Sequence, residues 1–235
     1  MRAAAPTALL LCLAALGACV PEPVGSALAR RPDDAPLVKD PGYYESLRGH
    51  TRQESIYDGL DQRVFAAVTW QAWPFRQRRV EAQARFLSLP EDERRAMIER
   101  EKGEARSYND FFVGFYTNQG AWNDLQSPHS IWRLELQPEG GEAIQPLSIE
   151  RIDRPDANLA ALYPYLTTFW VGYRVRFPAE DARGRSLFPL GSPRMKLRFS
   201  SALGRLEAVF SLLGHERPPL EVLEREAPAP TAPLP

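Results

Sequence analysis

Residues 169–177 read FWVGYRVRF, and the architecture turns on them. Phe169, Val171, Tyr173, Val175 and Phe177 alternate with Trp170, Gly172, Arg174 and Arg176. A period of two sends successive side chains to opposite faces of a sheet, so this pattern predicts a strand with one apolar face. Such alternation belongs to antiparallel sheets, whose second face can be wet. Working outward, Trp132, Leu134 and Leu136 alternate with Arg133, Glu135 and Gln137 in the same way. Met195, Leu197 and Phe199 predict another strand, and Leu206, Ala208, Phe210 and Leu212 the last, joined through a turn at Leu203-Gly204-Arg205. A weaker strand is expected over 144–152. Val64 to Trp70 (VFAAVTW) is a short apolar run, read as a buried strand, and Phe111 to Thr117 (FFVGFYT) reads as a strand where the period becomes two.

Between those two runs the period changes. Val80, Ala84 and Leu87 make a narrow helical stripe. A second helix is expected after Pro90, with Glu91, Asp92 and Glu93 complementing its dipole and a thin apolar face of Met97, Ile98, Ala105 and Tyr108. A short helix is expected after Pro155, with Leu159, Leu162 and Tyr163 inward and Pro164 as the stop. The chain is therefore expected to be mainly β: an antiparallel sandwich of about seven strands with a helical insertion over 74–108. An α+β arrangement is the alternative.

Composition narrows the rest. A hydrophobic content of 44% suffices for a core, and a formal net charge of -1 offers no long-range attraction for nucleic acid. Basic residues are nearly all Arg, with Lys only at 39, 102 and 196. Runs such as Arg76–Arg79 are accordingly read as a solvated face.

The N-terminal segment has a different logic. Arg2 precedes an apolar stretch, Ala8 to Leu16, followed by small residues, the layout of an export signal. Its end, Leu16-Gly17-Ala18-Cys19, resembles the lipobox of bacterial lipoproteins, with Gly17 less usual there than Ala or Ser. The resemblance implies cleavage between Ala18 and Cys19 and a diacylglyceryl thioether on Cys19. The only other cysteine, Cys12, falls inside the removed segment. Val20 rather than Asp after the cysteine implies the outer membrane. An ordinary export cleavage, releasing a free protein, and an uncleaved anchor are the rival readings. Residues 19–53 then read as a Pro-rich tether, 54–213 as the β-rich domain and 214–235 as a disordered Pro/Ala-rich tail. The order of Trp132–Leu136, Tyr163–Tyr165 and Tyr173–Pro178 also resembles other bacterial lipoproteins, but transfers no functional residue.

Chemistry is sparse. His50, His129 and His215 share no metal-binding spacing, so no metal or cofactor is expected. Asp58-Gly59-Leu60-Asp61 reads as a turn rather than a calcium loop. No nucleophile elbow or phosphate-cradling glycine loop is present. The stretch 117–130 (TNQGAWNDLQSPHS) gathers Asn118, Trp122, Asn123, Asp124 and His129 into one loop, a candidate binding surface for glycan or peptide; the alternative is a Trp covering a sheet edge among turn-forming amides. Tyr163, Tyr165, Trp170 and Tyr173 suit core packing better than a ligand cage. The expected role is a lipid-anchored, non-enzymatic envelope module, partnered by the membrane through its lipid and by an envelope protein or glycan. An envelope hydrolase acting on glycan or peptide and a lipid or lipoprotein carrier are the alternatives.

Overall fold

A computed structural model of the chain describes residues 40–167, 169–180, 184, 186–188 and 193–212. The export signal, Cys19, the 19–39 part of the expected tether, His215 and the tail from 213 lie outside these.

The described chain is mainly β, with eight strands in two antiparallel sheets packed face to face. In chain order the elements are helix α1 (Pro41–His50), strands β1 (Thr51–Asp58) and β2 (Asp61–Trp70), helices α2 (Trp73–Leu87) and α3 (Glu91–Ser107), strand β3 (Tyr108–Thr117), a 3₁₀ turn (Gly120–Trp122), strands β4 (Arg133–Pro138) and β5 (Ser148–Ile152), helix α4 (Ala157–Leu162), and strands β6 (Val171–Pro178), β7 (Arg194–Ser201) and β8 (Gly204–Ser211). The larger sheet runs β1-β2-β3-β6-β5 and the smaller β4-β7-β8. The expected helical insertion is α2 and α3, between β2 and β3.

Alternation explains what each face does. Val64, Ala66, Val68 and Trp70 of β2, Phe111, Val113 and Phe115 of β3, and Tyr173, Val175 and Phe177 of β6 meet Leu134, Leu136, Leu197, Phe199 and Phe210 of the smaller sheet in one buried cluster. Phe115 stacks on Phe199 across the gap, ring centres 5.7 Å apart. Each such ring contributes about 1.5–3 kcal/mol by leaving water. These side chains fill the space between the two sheets. The outer face of the smaller sheet is wet and laced with charge, as in Arg198–Glu207 at 3.0 Å and Lys196–Glu207 at 3.2 Å.

The larger sheet is covered on both faces. Phe65, Ala67 and Thr69 of β2 and Phe112 of β3 are as buried as their inward neighbours. Helices cover this second face, which is why VFAAVTW reads as an unbroken apolar run and why Phe112 of FFVGFYT is buried too. Tyr165 and Trp170 also lie on it, against the bare backbone of Gly114. Tyr165 bonds Thr69 Oγ1 through its hydroxyl at 2.7 Å, and Tyr163 stacks on Phe112 at 3.9 Å. Tyr173 belongs to the opposite face. The four aromatics are packing, in two separate places.

Two expectations are corrected. Residues 41–53 are not tether. Asp40 caps α1 by accepting the Tyr43 N–H at 3.1 Å, Pro41 occupies the first turn, and Tyr43, Tyr44, Leu47 and His50 are buried. The Tyr43 hydroxyl donates to the Leu162 carbonyl at 2.6 Å. Thr51 to Asp58 then form an edge strand paired with β2, an eighth strand where about seven were expected. The density of prolines masked a capped helix whose stability comes from tertiary burial rather than propensity. The strand predicted from Phe169 begins at Val171; Phe169 is exposed and outside the ladder, and Trp170 packs on the second face of the larger sheet, its ring centre 4.6 Å from that of Phe65.

Candidate functional site

The five loop residues expected to bind are not assembled. No hydrogen bond or ion pair joins any two of them among the described residues. Asn123 is buried and structural: its Nδ2 donates to the Phe115 carbonyl at 2.9 Å, and its Oδ1 accepts from the Tyr173 hydroxyl at 2.9 Å. Burial, the largest influence, pushes the Tyr173 hydroxyl up to about 12, so it remains a donor throughout the neutral range. Asp124 Oδ1 accepts from Ser130 Oγ at 2.8 Å, closing the loop on itself. Trp122 is half-buried, and its carbonyl accepts the Trp132 indole N–H at 2.8 Å. Asn118 and His129 face solvent. The Trp and its amides hold the loop against the sandwich.

The polar side chains that converge lie on the helical side of the larger sheet. They follow from two periodicities. On β3 and β6, the alternation that sends Phe111 and Val175 into the sandwich sends Asp110, Phe112, Arg174 and Arg176 to the other face. Register sets Asp110 opposite Arg176 and Phe112 opposite Arg174. On α2, Arg76 and Arg79 are one turn apart; on α3, Arg100, Glu101 and Glu104 share a face. With Leu159 of α4 and Tyr163 just after it, these groups line a cleft of about 290 Å³.

Its base is a buried ion-pair network. Arg76 donates through Nε to the Gln71 carbonyl at 2.8 Å, through Nη1 to Glu101 at 2.6 Å and through Nη2 to Asp110 at 2.6 Å. Arg79 Nη2 shares the same Glu101 oxygen at 2.5 Å. Arg176 reaches Asp110 Oδ1 at 3.0 Å, pairs with Glu104 and lies over the Tyr108 ring at 4.1 Å. Arg76 and Asp110 are each 3% exposed. The reading of Arg76–Arg79 as a solvated face is thereby corrected. Arg78 is surface, but Arg76 and Arg79 lie one helical turn apart on the side that packs against α3 and the sheet. Arginines of this kind escape a composition argument because helical phase, not frequency, decides which of them is buried. The alternation of β6 did place Arg174 and Arg176 on one face; that a helical layer covers this face was not legible.

Chemically, the cleft suits holding more than reacting. Guanidinium groups stay charged at any working pH and cannot act as bases. Burial pushes the Tyr163 hydroxyl up, away from the neutral range. For Glu101, burial also pushes upward, but the charges and hydrogen bonds of Arg79 and Arg76 outweigh it and hold the carboxyl below its ordinary value. A carboxyl so depressed binds its proton less readily in the folded state than in the unfolded chain. It therefore stabilises the fold above the unfolded pKa of about 4.3, and that contribution is lost as pH falls through the folded value. Urea midpoints are expected to show a Glu101→Gln variant weakest relative to wild type near neutrality, with the gap closing on acidification. A gap of constant size across that range would show that Glu101 is not coupled to its arginines. Among the described residues, no group of three or more His, Cys, Asp or Glu side chains is placed to hold a metal ion.

Fold and cleft together define a two-sheet β-sandwich with a helical layer on its larger sheet and an arginine-rich cleft beneath that layer. No protein-family model matches the chain, and no curated protein matches it. Among solved structures it is similar to a novel protein of unknown function from Burkholderia pseudomallei K96243, with a TM-score of 0.39 and 12% identity, over 72% of this chain and 84% of that one.

Proposed function

We propose that the protein is a lipid-anchored component of the bacterial cell envelope, held by a diacylglyceryl group on Cys19 after cleavage at Ala18. Its folded domain is then a non-enzymatic binding module presented close to the membrane, and the arginine-rich cleft is its binding surface. One observation carries the anchor: Leu16-Gly17-Ala18-Cys19 at the end of an apolar stretch preceded by a basic residue. Val20 favours the outer membrane. Support for a binding rather than catalytic role comes from the cleft, whose basic groups are permanently ionised and whose carboxylates are engaged by them. The segment from Cys19 to Asp40 spans at most about 70 Å when fully extended, so the module works within that distance of the bilayer. Two or three acyl chains anchor a protein stably, where one alone is reversible.

The test is direct. Native protein purified from membranes is expected to begin at Cys19 and to carry the mass of the lipid. A Cys19→Ala variant is expected to lose that mass and to shift from the membrane to the soluble fraction. An unmodified Cys19, or a native N-terminus elsewhere, overturns the anchor.

A further inference from the structure

We propose that the cleft beneath the helical layer binds a phosphate monoester through Arg79, Arg100 and Arg174. The inference deepens the binding-module reading and rests on it for the role of the cleft. Five guanidinium groups line the cleft against three carboxylates, a formal surplus of two positive charges. The carboxylates are already engaged: Asp110 by Arg76 and Arg176, Glu101 by Arg76 and Arg79, Glu104 by Arg176. Arg100 forms no ion pair among the described residues. Among the described residues Arg174 has only Glu150, at 3.1 Å, a surface pair with side chains 51% and 61% exposed. Such a pair is screened and worth little, so Arg174 is available to another anion.

A second, independent observation points the same way. Arg79 lines the cleft and gives Nη2 to Glu101, yet its Nε–H is buried with no acceptor among the described residues. Buried donors are almost always paired, so this N–H, like that of Arg63, is spare donor capacity; its place on the wall of a positively charged cleft is what favours an anionic oxygen there. Guanidinium matches phosphate and carboxylate in geometry. The surplus of two charges selects a dianion over a monoanion, and hence a phosphate monoester over a diester or a single carboxylate. The volume admits a phosphate with a small substituent, and Phe112, Leu159 and Tyr163 provide apolar edges for that substituent. Because the arginines do not titrate, affinity follows the second ionisation of the ligand. It rises as pH passes about 6 for a monoester.

The test is calorimetric titration of the full chain with inorganic phosphate and with glycerol 3-phosphate at fixed ionic strength, beside co-sedimentation with vesicles containing phosphatidic acid or phosphatidylglycerol. Saturable binding of both free phosphates is expected, stronger at pH 8 than at pH 5. Sedimentation with phosphatidic acid vesicles but not with phosphatidylglycerol would identify a lipid monoester as the source; binding of the free phosphates without either vesicle would identify a soluble ligand. Arg100→Ala removes an exposed side chain with no ion pair among the described residues, so the fold is retained, and affinity is expected to fall roughly tenfold, the effect of losing about 1.4 kcal/mol. Arg95→Ala, on the same helix but outside the cleft, is expected to leave it unchanged. No saturable phosphate binding, equal losses in the two variants, or tighter binding of a monocarboxylate such as acetate overturns the proposal. The titration does not depend on lipidation: its failure beside a lipidated Cys19 removes the ligand and leaves the anchor, and the converse result removes only the anchor.

Discussion

Replacing Asp110 by alanine is expected to cost about 3 kcal/mol of folding stability, a fall of roughly 6–12 °C in Tm for a domain of this size. The carboxylate is 3% exposed, accepts Arg76 Nη2 at 2.6 Å and faces Arg176 across the β3–β6 ladder. A buried pair is not in itself strongly stabilising, because desolvation offsets much of the attraction. Removing one partner is costly, because the other charge is left buried and uncompensated. The estimate sits at the low end of the usual range because Arg76 keeps Glu101 and the Gln71 carbonyl, while Arg176 is 27% exposed and can turn to water. Arg176→Ala should therefore cost less than Asp110→Ala. Urea denaturation with an unchanged m-value is the measurement. An Asp110→Ala variant within 1 kcal/mol of wild type would mean that the network does not hold the helical layer to the sheet.

A Gly114→Val substitution is expected to be comparably damaging, about 3 kcal/mol, the upper end of overpacking costs. A Cβ at this position would stand 2.7 Å from Trp170 Cε3 and 2.9 Å from Tyr165 Cδ2. Neither ring can readily yield. Tyr165 is fully buried and tied to Thr69 at 2.7 Å, and Trp170 is wedged edge-on against Phe65. The glycine is thus a matter of close approach rather than of backbone freedom: it lets two aromatic rings come up against the middle strand of the larger sheet. Gly103, within α3 and with open space around its Cα, is the control. Gly103→Ala should stabilise by about 0.4–1 kcal/mol through the unfolded chain. If Gly114→Val unfolds at the wild-type denaturant midpoint, the aromatic layer does not pack on β3 as described.

Both variants probe the same contact, between the sheet and what covers it, and that contact is where the sequence was hardest to read. The five loop residues drew attention because amides, a carboxylate, a histidine and an indole stood close together in the chain. In the fold, Asn123 is taken up by Phe115 of β3 and Tyr173 of β6, and Asp124 by the loop itself. The groups that do converge come from α2, α3, α4, β3 and β6, spread over about a hundred residues, with no local pattern linking them.

What the sequence determined unaided is everything that depends on neighbours in the chain. A side-chain period of two is a property of the extended backbone, so β4, β6, β7 and β8, and the apolar face of each, could be read directly. The turn at Asp58–Asp61 and the helical pair between two apolar runs were legible for the same reason. The tertiary structure alone decided which of two faces a helical layer would cover, and so whether Arg76 and Arg79 met water or Glu101. It alone made residues 41–50 a helix, because the tyrosines that stabilise it are buried against a segment more than a hundred residues away. Burial is set by what packs from elsewhere, and no local periodicity carries that information.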